Sequence, residues 1–176
     1  MNSGAGFRPI EARTPRERRV LIITGIIAAA VVVLDQATKL WVTHSFELHE
    51  SRPVIANLFS LTYVVNYGAA WSMFSGHGGA LLVIAGVVGL AAVVFFRSLA
   101  EGFPERYLAI MLVLAGIVGN SIDRLWRGGV VDFLDFHWKE VWRYPVFNVA
   151  DIAICVGIAV FIISNLARAR KQKRGA

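Results

Sequence analysis

Four stretches of the chain are apolar for about the length of a membrane-crossing helix, and the polar positions that interrupt them gather toward one end of each. They cover residues 20–42, 79–96, 107–126 and 149–167. A spanning helix needs about 20 predominantly apolar residues, so each stretch predicts one. The first is uncharged through Leu34 and then broken by Asp35 and Lys39. Arg-rich residues precede it, as they would a secretory signal peptide. However, the run is long for that purpose and no small-residue cleavage site follows Asp35, so it reads as a retained span.

No charged side chain occurs between Arg52 and Arg97, which raises a fifth candidate within residues 53–76. The pattern there argues for strands instead. Leu58-Phe59-Ser60-Leu61-Thr62-Tyr63-Val64-Val65 is β-branched and aromatic, and Pro53, Asn57, Asn66 and Gly68 punctuate it. The predicted fold is a mainly α membrane protein with four transmembrane helices. A small extracytoplasmic β-structure at about residues 50–76 sits between helices 1 and 2. The second outer connection, about residues 127–148, carries Trp138, Trp142 and Tyr144, residue types that favour the membrane interface.

Composition agrees with a bilayer as solvent: 56% of the 176 residues are hydrophobic, 17% are charged, and the mean hydropathy is +0.59. A disordered chain is excluded, and a single soluble domain of this size could not hide so much apolar surface. The net charge of +6 changes the picture through its placement. Residues 1–19 carry five Arg against two Glu, and residues 168–176 carry five basic residues and no acid. Basic tails belong on the cytoplasmic side, so this is a topology label rather than a nucleic-acid footprint. An even number of spans puts both tails there, along with the loop holding Arg97 and Arg106. The chain thus divides into a basic tail (1–19), one membrane domain (20–167) and a second basic tail (168–176).

Ionisable groups within or beside spans are expensive and mark function. Here they are Asp35, Lys39, Asp123, Arg124, Asp132 and Asp151. On the four-span layout all fall toward the outer end, so four segments bring polar groups to one depth. Asp35 and Lys39 are four apart on a helix and can pair. Gly116, Asn120, Asp123 and Arg124 share one helical face, and Asp123 and Arg124 read as a structural ion-pair network. Asn148 and Asp151, three apart, also share a face. Asp132 follows the turn-permitting Gly128-Gly129 in an extended Val130-Val131-Asp132-Phe133. Two carboxylates held close in apolar surroundings cannot both ionise readily, which supplies a general base and a general acid. Such pairs also bind cations or relay protons in a carrier, and a scaffold with lipid-binding tails fits the charge pattern as well. Other hydrolytic schemes lack their signatures. There is no H-E-x-x-H, no G-x-S-x-G and no phosphate-binding glycine loop. The four His are scattered, and the single Cys155 reads as a buried packing residue.

Five motifs in order then carry a resemblance: Asp35-Gln36-Ala37-Thr38-Lys39; Asn66-Tyr67-Gly68-Ala69-Ala70-Trp71-Ser72; Gly116 through Arg124; Val130-Val131-Asp132-Phe133; and Phe147-Asn148-Val149-Ala150-Asp151. Together, over about residues 20–166, they closely resemble the bacterial lipoprotein signal peptidases, or signal peptidase II. The resemblance implies an intramembrane aspartic endopeptidase of the bacterial inner membrane with no metal or other cofactor. Such enzymes cut prolipoproteins just before a diacylglyceryl-modified cysteine. The catalytic aspartates match Asp132 and Asp151. Asp35, Lys39, Asn66, Gly68, Asn120, Asp123, Arg124 and Asn148 match residues that bind substrate or order the site. The outer β segment resembles a cradle over the substrate. The implied partners are prolipoproteins and membrane lipid, with peptide antibiotics of the globomycin type as inhibitors and no nucleic acid. Ala115, where many relatives have Gly, and the longer tail through Arg19 depart from the pattern without touching the dyad.

Overall fold

The computed structural model describes residues 14–68, 78–139 and 141–174. Residues 1–13 of the basic tail, Ala69 through Ser72 of the second motif and the rest of the expected cradle to residue 76 lie outside the described residues. Helix α1 spans Pro15–Ser45. Its start is fixed by a reciprocal cap: Thr14 Oγ1 accepts from the Glu17 amide at 3.2 Å, and the Glu17 carboxylate accepts from the Thr14 amide at 3.0 Å. With 31 residues it is about 46 Å long at 1.5 Å per residue, longer than the apolar core of a bilayer, about 30 Å. Helix α2 (Gly78–Val94) and the short α3 (Phe96–Ala100) follow, then α4 (Pro104–Trp126) and α5 (Val149–Arg174).

Three described helices, Pro15–Ser45, Pro104–Trp126 and Val149–Lys173, are long and apolar enough to cross a membrane. The second expected span is shorter than its apolar stretch, because the chain leaves the helix at Phe95 and α2 ends at 17 residues. No residue of α2 is buried in the protein. Ile22, Val33, Val83, Leu90 and Ile163 each leave more than 60% of their surface uncovered. Side chains of this kind, apolar on every face, belong in lipid.

Helix α4 is the centre of the bundle, with α5 on one side and α1 on another. Close packing depends on small residues, as is common between membrane helices. A Cβ on Gly116 would sit 2.4 Å from the Ala150 carbonyl oxygen, and one on Gly157 would sit 2.6 Å from that of Ala109. Cys155 is exposed, which corrects the expectation that it is buried. Ala153 and Gly157 face inward, and a residue two positions from each points to the far side of the helix.

Strands β1 (Ser51–Ile55), β2 (Phe59–Asn66), β3 (Val130–Trp138) and β4 (Trp142–Arg143) form one antiparallel sheet in the order β1-β2-β3-β4. The sheet thus draws half its strands from the connection before α5, beyond the 50–76 segment expected to form it. Val42 and Phe46 at the end of α1 pack against Val131 and Phe133, anchoring the sheet to the bundle. A bulge in β2 sets the direction of its last side chain. Leu61 lies opposite Leu134, but Val64 lies opposite Asp132, so β2 has one extra residue between these pairs. The extra residue reverses which side chains share a face, and it turns Asn66 toward the side on which Asp132 projects.

Candidate active site

The site is built on the N-terminus of α5. Asn148 precedes the helix and caps it: its Oδ1 accepts from the Asp151 amide at 2.9 Å, and the Asp151 carboxylate accepts from the Asn148 amide at 3.2 Å. This is the reciprocal capping arrangement with Asn and Asp in place of the commoner residues. A carboxylate from α1 completes the first turn, Asp35 Oδ1 accepting from the Ala150 amide at 2.9 Å. Negative charge is favoured there by the helix dipole and its orphan N–H groups.

With its oxygen committed, Asn148 has its amide protons left to give. Its Nδ2 lies 2.6 Å from Asp132 Oδ1 and 3.1 Å from Asn120 Oδ1. Asn120 Nδ2 donates in turn to Asp151 Oδ1 at 2.8 Å. The second oxygen of Asp132 accepts from Asn66 Nδ2 at 3.1 Å, the contact made possible by the bulge. Two carboxylates from separate segments are therefore held by a shared set of Asn amides. Asp132 is 2% exposed. Burial, and then the neighbouring Asp151 charge, push its carboxyl up to about 7, against the lowering effect of Asn66, Asn148 and Lys39.

Behind this pair lies a cation with no exposure to solvent. Lys39 Nζ is 2.9 Å from Asp35 Oδ2, 2.9 Å from Asp123 Oδ2 and 3.0 Å from Asn120 Oδ1. An ammonium has three donors, and each has an acceptor. Asp123 Oδ2 also accepts from the Val131 amide at 3.0 Å, which ties the strand carrying Asp132 to α4. The expected Asp35–Lys39 pair is present, as one part of a larger cluster.

The ion-pair network expected to fix this helix to its neighbours through Asp123 and Arg124 is present at Asp123, which bonds Lys39 of α1, while Arg124 makes a different contact. Neighbours one apart on a helix do not face each other, and the Arg124 guanidinium donates to the Gly68 carbonyl at 3.2 Å. Gly68 also donates its amide to Asn66 Oδ1 at 2.9 Å, so Arg124, Gly68 and Asn66 form one chain leading to Asp132. The cation that does pair with Asp123 from its own helix is Arg127, four residues on. That spacing is a sequence signal in its own right. Gln36, which lies in the first motif but is not among the expected site residues, also joins the cluster. Its Nε2 lies 3.0 Å from Asp35, 3.1 Å from the Gly119 carbonyl and 3.2 Å from Asp123, and its oxygen accepts from Arg127 at 3.2 Å.

Every predicted site residue thus joins one network, with Asp132 and Asp151 at its centre. A second buried acid, Asp135, is held apart from it by Thr62 at 2.6 Å and Arg143 at 2.6 Å and 2.9 Å. Burial raises this carboxyl, but these partners outweigh it and hold it below its ordinary value. Among the described residues no three His, Cys, Asp or Glu side chains converge as metal ligands.

The family model of signal peptidase (SPase) II matches residues 27–167. The lipoprotein signal peptidase of Geobacter metallireducens is 40% identical over 155 residues, covering 86% of this chain and 95% of that protein. That of Shewanella loihica is 43% identical over 150 residues, covering 82% and 86%. A bacterial membrane enzyme structure solved by the in meso method at 2.3 Å superposes with a TM-score of 0.78 at 34% identity, covering 84% of this chain and 89% of that one.

Proposed function

This chain belongs to the signal peptidase II family, and on that footing we propose that it is an aspartic endopeptidase acting on prolipoproteins. Asp132 and Asp151 are its dyad, and it cuts just before the diacylglyceryl-modified cysteine. The observation that carries this reading is the pair of carboxylates held together by Asn148 and Asn120.

In the proposed step the dyad holds one proton between two carboxyl groups. The ionised partner takes a proton from water as the water oxygen bonds to the scissile carbonyl carbon. The protonated partner gives its proton to the carbonyl oxygen. The C–N bond then breaks as the departing amine of the modified cysteine takes up a proton from the dyad. One hydroxyl of the diol intermediate returns its proton to the dyad as the carbonyl re-forms, which leaves the pair with one proton again. A coupled pair titrates as a unit, so the roles belong to the pair. Burial limits bulk water and strengthens each hydrogen bond at the site. Lys39 and its two carboxylates hold Asn120, and hence Asp151, without touching the reacting atoms.

The same reading sets the protein in the bacterial inner membrane. Helix α2 serves as a short fourth span, both termini are cytoplasmic and the dyad faces outward. A substrate anchored by its lipid then meets the site without leaving the bilayer. Globomycin-type peptides are expected to compete for the same site.

The test is cleavage of a purified diacylglyceryl prolipoprotein by the purified protein, with Asp132→Asn and Asp151→Asn alongside. Cleavage by wild type and by neither variant is expected. Undiminished cleavage by either variant would remove the dyad assignment.

A further inference from the structure

The charged groups around the dyad can be followed element by element among the described residues. The outer part of α1 supplies Asp35 and Lys39, and the outer end of α4 with its cap supplies Asp123, Arg124 and Arg127. Strand β3 supplies Asp132, and the first turn of α5 supplies Asp151. Strand β2, which lends Asn66, has no charged residue. Three other groups on these elements are engaged elsewhere. Asp135 is paired with Arg143, His137 bonds Ser60, and the exposed His44 bonds its own helix at the Leu40 carbonyl. Four carboxyl groups thus meet three cations.

An unbalanced charge held away from water is expensive. Three cations offset three ionised carboxylates, so neutrality leaves one proton on the fourth. Lys39 and Arg127 are in contact with Asp35 and Asp123, which makes those two acids the ionised ones. The third cation, Arg124, lies within electrostatic reach of Asp132, Asp151 and Asp123. The proton therefore falls to the pair formed by Asp132 and Asp151, the protonation state that the proposed step starts from.

Arg127 takes part in this balance from a distance. Its backbone amide donates to the Asp123 carbonyl at 2.7 Å and so caps α4. Its guanidinium bonds Asp123 Oδ1 and the Gln36 oxygen, while Lys39 and the Val131 amide hold the other Asp123 oxygen. None of its bonds among the described residues reaches Asp132 or Asp151. Resting on the peptidase reading, we infer that Arg127 is a positioning residue that sets the number of protons on the dyad. Without it two cations remain, and neutrality calls for a second proton. A dyad holding both protons has no ionised partner to take a proton from water.

The experiment is the pH profile of kcat/KM on a purified diacylglyceryl prolipoprotein for wild type, Arg127→Lys, Arg127→Gln and Arg127→Met. The Gln and Met variants differ in hydrogen bonding and agree in charge. Both are expected to move the rising and falling limbs to higher pH by about half a unit to one unit, the reach of one partly screened charge over roughly 10 Å. Arg127→Lys is expected to leave them in place. A second measurement needs no activity: the melting temperature of each protein's Asp132→Asn form minus its own. In the Gln and Met backgrounds this difference is expected to go on rising to a pH higher by the same amount. Limbs that stay in place in either neutral variant, or that move as far in Arg127→Lys, overturn the inference. A melting difference that levels off at the same pH in every background also overturns it, and Arg127 is then only a brace for Asp123. Failure of wild type to cut the substrate overturns the peptidase reading itself.

Discussion

The side-chain amide of Asn148 lies 2.6 Å from the carboxylate of Asp132, and the oxygen of that same side chain caps the helix on which Asp151 begins its turn. One residue therefore sets the position of both acids, and its removal separates two effects. Losing the cap costs about 1 kcal/mol of stability. Losing the donor leaves Asp132 with Asn66 alone among its side-chain hydrogen-bond partners in the described structure. For Asn148→Ala we predict a kcat lower by about 10²–10³, the usual consequence of removing an organising donor, with KM changed far less. Steady-state kinetics on a lipid-modified substrate, alongside a melting curve, checks this. A fall in stability without a fall in kcat would mean that Asn148 only caps.

Lys39 is expected to matter for folding more than for chemistry. It has 0% exposure and touches two carboxylates, so Lys39→Met leaves buried negative charge without its cation. Breaking a buried pair from one side costs about 3–5 kcal/mol. Asp123 keeps Arg127, so Asp35→Asn removes the charge left without a cation, and the double variant is expected to recover part of the loss. Thermal unfolding in detergent reads the cycle. No recovery in the double variant would place the cost in packing rather than charge.

Helical spacing makes Asp35, Lys39, Asn120 and Asp123 legible in the sequence, because the α-helical period alone puts each on an inward face. The same rule, applied to Asp123 and Arg127, identifies the fourth charge. Arg124 is half legible: its position on α4 shows a charge at the site, but its partner, the Gly68 carbonyl, comes from a distant connection. Cys155 misleads because an apolar neighbourhood in sequence means burial only in water, and here the outer face meets lipid. The contact from Asn66 to Asp132 is illegible, since it depends on a bulge whose register joins segments far apart in the chain. The sheet membership of Val130–Trp138 is half visible. Its extended start shows in Val130-Val131-Asp132-Phe133, but local pattern does not reveal its partner strand.

The small-residue contact between α4 and α5 can be tested by adding one methyl group. A Cβ on Gly116 would meet the Ala150 carbonyl at 2.4 Å, and backbone cannot swing aside as a side chain can. Gly116→Ala is predicted to cost about 1–3 kcal/mol and to lower kcat by shifting the first turn of α5 away from Asn120. Gly86 in α2 has nothing within 4 Å of its virtual Cβ. Gly86→Ala is therefore expected to be neutral or stabilising by up to about 1 kcal/mol. Melting temperatures of the two variants should move in different directions, and similar losses in both would argue against a close helix contact at Gly116.

Asp132 gives a pH dependence whose sign is fixed by its environment. Burial and the Asp151 charge move its carboxyl from 3.8 up to about 7 in the folded chain. A group raised on folding contributes stability that is fully present below its unfolded value and is lost as pH rises through the folded one. Wild type should therefore lose this contribution between about pH 4 and pH 7. Asp132→Asn cannot ionise and should not lose it. Carboxyls away from the dyad, such as Asp135, titrate in both proteins and cancel in the comparison. The melting temperature of Asp132→Asn minus that of wild type is thus predicted to increase as pH rises across this interval. In wild type, cleavage should decline as pH rises above about 7, where the dyad surrenders the proton that the proposed mechanism uses. A melting difference that stays flat from pH 4 to pH 7 would mean that Asp132 ionises without penalty and is not the proton-holding partner of a buried pair.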